Sequence, residues 1–169
     1  LPVHKATIMP RGNALGLVMQ LPSKDETSIS RRQMLAKLDV CMGGRVAEEL
    51  IFGADAVTSG ATSDLKQATN LARYMVTNCG MSDVVGPVYI DTRSGPNGSS
   101  VISSETERNI DMEVTRLLKE AYSRVTTLLT SKQDELHKLA TALLDKETLT
   151  AQDIDAVLGR SSLADPTLP

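Results

Sequence analysis

ISRRQMLAKLDVCMGGRVAEELIFG, residues 29–53, is the stretch that decides the fold class of this chain. Ser30 and Gln33 have the spacing of a capping box, and apolar residues flank them at the two positions of a hydrophobic staple. Apolar side chains then recur at helical spacing as far as Gly53, a typical helix stop. The stretch therefore predicts a long helix that begins at Ser30 and ends at Gly53.

A pair of glycines, Gly43 and Gly44, lies in the middle of this predicted helix. Each glycine costs about 1 kcal/mol relative to alanine inside a helix. Something must therefore require the absence of side chains there. We expect the close approach of another backbone, and a kink is the alternative.

Four further helices follow from the same kinds of signal, and two of them open with a capping box. The second helix has small residues on one face, which indicates tight packing. The third is long and amphipathic. They are expected at about residues 64–80, from Ser104 with its capping partner Glu107, near 132–146, and from Thr150 with its capping partner Asp153.

Strand patterns are short and few. Residues 3–9 and 15–21 flank a turn and predict two strands that can form a hairpin, and residues 86–90 predict a third strand. The fold class is therefore mainly α with a small β-sheet or hairpin, an α+β arrangement. We expect one domain over residues 1–159, a flexible segment at 94–100 and a disordered tail at 160–169.

Composition excludes several classes of protein. The 169 residues are 41% hydrophobic and 23% charged, close to the average of globular domains, which excludes a disordered or fibrous chain. The net charge of −3 offers no basic surface for phosphate binding, so no nucleic-acid partner is expected. No apolar stretch approaches the length of a membrane span. The first residue is not Met, so we expect a piece of a longer protein.

The residues that could carry chemistry are few, and each has a plain structural explanation. Asp64 follows a Thr-Ser-Gly loop near a helix start, where an acid can simply stabilise the helix dipole. Glu48 lies one turn after the glycine pair, where a solvated helix face also tolerates acids. His4 and His137 have no spacing typical of metal ligands, and we interpret both as surface or packing residues. Two cysteines, Cys41 and Cys79, lie in apolar helical patterns and are expected to be buried thiols.

Three long motifs go further than composition and spacing. They are HKATIMPRG at residues 4–12, MGGRVAEELIFG at 42–53 and TSGATSDL at 58–65. Together they resemble the peptidase domain of the FtsH family of membrane-anchored AAA+ zinc proteases, the M41 type. The segment LDVCM at residues 38–42 is most similar to the i-AAA branch and its plant organellar members.

This resemblance implies a zinc site to which the chain contributes one ligand. In the family, two histidines of an HExxH helix and an aspartate from a later helix hold zinc, and the HExxH glutamate activates water. The aspartate matches Asp64, and Glu48 matches an acid that orients the site. The family pattern places HExxH before Leu1, so this N-terminal part and the ATPase module with its ATP and Mg²⁺ are expected outside this chain. The chain alone is expected to contain no catalytic residue and to be inactive.

The resemblance also implies how substrate and partners bind. An edge strand corresponding to Leu15, Gly16, Leu17, Val18, Met19, Gln20 and Leu21 binds unfolded polypeptide by strand addition. The family works as homo- or hetero-hexamers and is attached to a membrane through N-terminal segments. An organellar membrane, the mitochondrial inner membrane or a chloroplast membrane, is the expected location.

Two other functions remain open from the sequence. The first is a catalytically inactive FtsH-like module that keeps the helical scaffold to form a ring, and the presence or absence of HExxH upstream distinguishes it from the protease. The second is a helical adaptor unrelated to proteolysis, which the three motifs disfavour.

Overall fold

The computed structural model describes residues 3–9, 17–20, 28–91 and 102–159. Five helices and three short strands occur in these ranges, which confirms a mainly α fold with a small sheet. The chain divides into two compact units, one of Thr27–Thr130 and one of Leu1–Glu26 with Ser131–Pro169. The elements are β1 (Val3–Thr7), β2 (Leu17–Gln20), α1 (Arg31–Phe52), a 3₁₀ turn (Ala54–Ala56), α2 (Thr62–Thr77), α3 (Ser104–Ser131), α4 (Gln133–Lys146), β3 (Thr148–Thr150) and α5 (Ala151–Val157).

Helix α1 begins and ends where its local signals predict. The Ser30 hydroxyl accepts a hydrogen bond from the Gln33 backbone N–H at 3.3 Å, and Gln33 Oε1 accepts one from the Ser30 N–H at 2.8 Å. The helix ends before Gly53, whose positive φ of 85° is readily adopted by glycine and whose N–H bonds to the Glu49 carbonyl. The hydrogen bonds that define each end of α1 therefore join residues no more than four positions apart.

The core of the larger unit lies between α1, α2 and α3. Helix α2 presents the fully buried small residues Ala68 and Ala72, as the small-residue face predicted. An ion pair between Arg124 on α3 and Asp39 on α1, at 2.7 Å, joins two of the helices outside the core. The other fully buried residues of this core include Leu38, Met75, Val76, Ile110, Leu117 and Ala121.

The expected backbone approach at the glycine pair is wrong. Among the described residues, no atom lies within 4 Å of a Cβ built on Gly43, and the one atom near a Cβ built on Gly44 is an oxygen of Asp64 at 4.0 Å. Helix α1 runs through both positions without interruption. The close approach occurs instead at Gly80, with a φ of 59°, where a Cβ would lie 2.8 Å from the Cα of Pro87.

The sheet belongs to the smaller unit and has the order β2-β1-β3. The predicted hairpin pairing is confirmed, because β1 and β2 are antiparallel with Ala6 opposite Val18. The third strand is β3, which pairs with β1 and places the fully buried Leu149 opposite Ala6. The hydroxyls of Thr7 and Thr148, 2.8 Å apart, reinforce this pairing.

The predicted position of the third strand is therefore wrong. Residues 86–90 form an irregular segment, held to the end of α2 by a 2.7 Å bond from the Ile90 N–H to the Thr77 carbonyl. Thr150, the last residue of β3, is also the N-cap of the next helix. The sequence pattern therefore indicates a helix start and not a strand. Thr150 does cap α5 in a capping box with Asp153, as predicted.

One predicted cap shifts by a residue. Ser104 is the first residue of α3, and it is the Ser103 hydroxyl that accepts from the Thr106 N–H at 3.2 Å. The expectations for residues 94–100 and for the tail 160–169 lie outside the described residues. Within the described ranges, no helix is both long enough and apolar enough to cross a membrane.

Candidate metal centre

Asp64 is the third residue of α2 and lies in its first turn, half-buried. In the described part of the chain, no hydrogen bond or ion pair engages its carboxylate. Both oxygens are therefore left available to a ligand. A carboxylate in the first helical turn is also favoured by the helix dipole. The position of Asp64 therefore fits both a dipole-stabilising acid and a metal ligand.

Gly44 of α1 faces this carboxylate. A Cβ atom on Gly44 would lie 4.0 Å from Asp64 Oδ2, and Gly44 itself is exposed. No side chain from this position of α1 covers Asp64. The glycine, unexplained by backbone packing, thus leaves open space beside the predicted ligand.

Glu48, one turn further along α1, binds the loop that leads to α2. Its Oε2 accepts a 3.0 Å hydrogen bond from the Thr58 N–H, and its Oε1 accepts one of 3.0 Å from the Thr58 hydroxyl. Glu48 is half-buried and thus does not lie free on a solvated face. The bonds join α1 to the start of the loop that carries Asp64.

The loop itself is held by short-range bonds up to the first turn of α2. The Thr58 hydroxyl accepts from the Gly60 N–H at 3.1 Å, and the Ser59 carbonyl accepts from the N–H and hydroxyl of Thr62 at 3.1 and 2.6 Å. Ala61 is buried and provides no side-chain cap to α2. The position of Asp64 is thus determined by the loop before it.

Cys41 is buried on α1, near Asp64. Burial, and then the negative charge of Asp64, raise the pKa of its thiol above the ordinary value. A raised pKa keeps the thiol protonated, whereas metals bind the thiolate. Cys41 is therefore a buried core residue and not a metal ligand, as its apolar helical pattern predicted. Cys41 and Cys79 are both free thiols.

The donor chemistry of the described residues fits a partial zinc site. A carboxylate oxygen is an ordinary zinc ligand, but a zinc site needs at least three protein ligands. Residues 3–9, 17–20, 28–91 and 102–159 contain no group of three His, Cys, Asp or Glu side chains that could hold a metal. His4 on β1 and His137 on α4 are both exposed. Asp64 is therefore the one candidate ligand that the sequence and the geometry both single out.

The predicted substrate strand is described in part. Residues 17–20 form β2, whereas Leu15, Gly16 and Leu21 lie outside the described residues. In the described chain, β2 pairs with β1 along one edge and with no strand along the other. The side chains of Val18 and Met19 are 58% and 44% exposed. An edge strand with exposed apolar side chains has the features needed for strand addition.

Two contacts made by acids of α1 near the candidate site were not found from the sequence. One is the pair of bonds from Thr58 to Glu48. The other is the 2.5 Å bond that the Tyr122 hydroxyl of α3 donates to Glu49, which raises the Tyr122 pKa. The adjacent acids of α1 thus hold different elements, Glu48 the loop and Glu49 helix α3. Thr58 lies 10 residues after Glu48 and Tyr122 lies 73 residues after Glu49, so no local spacing rule identifies either partner. The Thr-Ser-Gly motif drew attention to Thr58 alone.

Comparison with known proteins places these residues in a family context. The family model described as Peptidase family M41 matches residues 1–157. The chain is 62% identical over 157 residues to the ATP-dependent zinc metalloprotease FTSH 11, chloroplastic/mitochondrial, of Arabidopsis thaliana, a match that covers 93% of this chain and 18% of that protein. It is 60% identical to the FTSH 9 protein of the same description from Oryza sativa subsp. japonica, covering 93% and 19%.

A bacterial relative is similar over a comparable range. The ATP-dependent zinc metalloprotease FtsH of Rickettsia prowazekii is 49% identical over 166 residues, covering 96% of this chain and 26% of that protein. The chain therefore spans between about a fifth and a quarter of the length of these curated relatives.

Proposed function

Because this chain belongs to peptidase family M41, we propose that it is part of the peptidase domain of an ATP-dependent zinc metallo-endopeptidase. In this proposal the chain supplies one zinc ligand, Asp64, and an edge strand for substrate. The single observation that carries it is the carboxylate of Asp64, which no described side chain engages and which faces a helix position without a side chain.

Asp64 would complete a ligand set whose two histidines come from an HExxH segment outside this chain. Bound zinc supplies a polarised water and a Lewis acid for peptide hydrolysis. Glu48 does not touch the metal in this proposal. It holds the loop before α2 through Thr58 and so fixes where the Asp64 carboxylate lies.

The substrates would be unfolded polypeptides or membrane proteins, bound along the open edge of β2. Main-chain hydrogen bonds give affinity with little dependence on side-chain identity, which suits a protease that degrades many chains. The free edge of β2 and the exposure of Val18 and Met19 support this proposal.

The remaining properties concern the whole protein. We propose that ATP and Mg²⁺ bind an AAA+ module outside this chain, that six subunits form a homo- or hetero-hexamer, and that N-terminal segments attach it to an organellar membrane. The names of the plant relatives, which include "ATP-dependent", "zinc" and "chloroplastic/mitochondrial", support the cofactors and the location. The hexamer and the membrane attachment rest on the family resemblance.

The test is Asp64→Ala in the full-length protein, with Asp55→Ala as a matched control. Asp55 is exposed in the 3₁₀ turn and makes no hydrogen bond or ion pair with the described residues. We expect Asp64→Ala to lose bound zinc, measured by elemental analysis, and to stop degrading casein while ATP hydrolysis continues. Asp55→Ala should retain both properties.

Two outcomes would contradict the proposal. Casein degradation at the normal rate by Asp64→Ala would remove Asp64 from the ligand set. A full-length protein that holds no stoichiometric zinc and degrades nothing would instead support the inactive ring-forming module.

A further inference from the structure

We propose that Thr58 is a positioning residue for the metal centre, and that Glu48 orients Asp64 through the Thr58 hydroxyl. The inference rests on the proposed function, since it takes Asp64 to be a zinc ligand. It adds a residue whose side chain touches neither the metal nor the substrate.

The Thr58 hydroxyl lies in the middle of a relay of hydrogen bonds. It donates to Glu48 Oε1 at 3.0 Å and accepts from the Gly60 N–H at 3.1 Å. The Thr58 N–H separately donates to Glu48 Oε2 at 3.0 Å. Both carboxylate oxygens are thus bound by one residue, which fixes the orientation of the loop more strictly than a single bond would.

The relay reaches Asp64 through the backbone. Gly60 precedes Ala61, which is buried, and the next residue begins α2. The N–H and the hydroxyl of Thr62 both donate to the Ser59 carbonyl, and the Leu65 N–H donates to the Ala61 carbonyl. Asp64 therefore lies six residues after Thr58 in a segment with bonds at both ends.

The start of α2 has no side-chain cap of its own. Ala61 occupies the N-cap position, where Ser, Thr, Asp or Asn would normally hold the first turn. The hydroxyl that joins this loop to α1 is the one at Thr58. The bond from Thr58 to Glu48 fixes the approach to the helix in place of a cap.

Close packing around the hydroxyl supports its role. A Cβ atom on Gly60 would lie 3.2 Å from Thr58 Oγ1 and 3.4 Å from Glu48 Oε1. A side chain at residue 60 would therefore crowd the hydroxyl, which would have to shift by a few tenths of an ångström. Since Thr58 is exposed, water would compete for its bonds, and their loss should loosen the loop without unfolding the domain.

The test compares two substitutions of Thr58 in the full-length protein. Thr58→Val has nearly the same shape and removes the hydroxyl, whereas Thr58→Ser keeps it. Thr127→Val is the matched control, because Thr127 is also exposed and, among the described residues, its hydroxyl bonds only to the Ser123 carbonyl of its own helix. Asp64→Ala is made alongside.

The readouts are zinc affinity, by competition with a chelator, and hydrogen exchange of the amides at residues 59–65. We expect Thr58→Val to weaken zinc binding about tenfold or more and to speed exchange at residues 59–65, with a lower kcat and little change in KM. The melting temperature should stay close to that of the unchanged protein. Thr58→Ser and Thr127→Val should behave as the unchanged protein does.

The outcomes separate this inference from the proposed function. Normal zinc affinity and exchange in Thr58→Val, together with zinc loss in Asp64→Ala, would overturn the role of Thr58 alone. Retained zinc in Asp64→Ala would overturn both. A drop in melting temperature equal in the Val and Ser variants would show that the hydroxyl is not the cause and would also overturn the inference.

Discussion

Gly44 on α1 lies opposite Asp64 on α2, with 4.0 Å between Asp64 Oδ2 and the place that a Cβ atom would occupy. A distance of 4.0 Å is ordinary van der Waals contact, so the glycine is not required by a clash. Its effect is to leave the carboxylate uncovered. This geometry separates the effect of Gly44 on folding from its effect on the proposed metal centre.

Alanine at either glycine should stabilise the protein. In the part of the chain that the structure describes, a Cβ meets no atom within 4 Å at Gly43 and only an ordinary contact at Gly44, so the higher helix propensity of alanine is gained without a clash. We expect Gly43→Ala and Gly44→Ala each to raise the free energy of unfolding by about 0.5–1 kcal/mol, measured by urea denaturation. Destabilisation by either variant would show a backbone constraint at the pair that the geometry does not show.

A long side chain at Gly44 should act on zinc rather than on folding. Gly44→Leu places apolar atoms beside Asp64, whereas Gly43→Leu has open space around its Cβ. In the full-length protein we expect Gly44→Leu to weaken zinc binding and peptide cleavage, with a melting temperature near that of Gly43→Leu. Equal zinc affinity in the two variants, measured by chelator competition, would show that open space beside Asp64 is not needed.

The free edge of β2 can be tested by proline at two adjacent positions. Successive N–H groups along a strand point to opposite edges, and proline removes one of them. Of Val18→Pro and Met19→Pro, one should break the pairing with β1 and lower the melting temperature. The other should keep the melting temperature, and in the full-length protein it should degrade unfolded protein poorly while ATP hydrolysis continues. If the variant that keeps its stability also degrades substrate normally, strand addition at β2 is wrong.

Glu113 should make stability depend on acid pH. It is buried on α3, and hydrogen bonds from Arg116 at 2.7 and 3.0 Å, with a 2.7 Å bond from the Ser82 hydroxyl, lower its pKa in the folded protein. The unfolded chain, with a pKa of about 4.3, then binds a proton first on acidification. Glu113 therefore contributes its full share to the free energy of unfolding above the unfolded pKa. This contribution is lost as pH falls from the unfolded pKa towards the lower pKa of the folded protein.

The variant that checks this is Glu113→Gln, with Glu120→Gln as its control. Glu120 binds the same Arg116 at 2.6 Å but is 47% exposed. We expect Glu113→Gln to lower the free energy of unfolding at neutral pH by about 1.5–3 kcal/mol and to flatten its fall between pH 5 and pH 3, measured by urea denaturation at each pH. Glu120→Gln should have a much smaller effect on both. If the free energies of unfolding of the unchanged protein and of Glu113→Gln fall in parallel with pH, Glu113 is not the source of the acid dependence.

The caps of α1 and α5 and the end of α1 were determined by the sequence alone, whereas α2 begins at Thr62 and ends at Thr77 instead of spanning the predicted 64–80. Ser30 with Gln33 and Thr150 with Asp153 form the predicted capping boxes, and α1 stops at Gly53. A cap satisfies backbone groups three or four residues away, so its signal is complete within a short stretch of chain. The exception, Ser103 in place of Ser104, shows how two adjacent serines with similar partners leave the residue undecided.

The family and the candidate ligand are also recognisable in the amino-acid sequence. The three motifs carry the resemblance, and the match over residues 1–157 confirms it. The role of Asp64 stays a prediction, because its two proposed partner ligands are not in the described residues. What the structure adds is the open carboxylate and the glycine opposite it.

Tertiary structure alone decided the contacts between distant segments. The third strand is Thr148–Thr150 rather than residues 86–90, because β1 offers its edge to a segment whose Leu149 can be buried against Ala6. Glu48 binds Thr58 because α1 and the loop before α2 lie side by side. A strand or a loop is stabilised by whichever partner the packed core brings near, and the sequence pattern of one segment carries no record of that partner. Local hydrogen bonding therefore set where α1 begins and ends and where α5 begins, whereas packing set which strand joined the sheet and what surrounds Asp64.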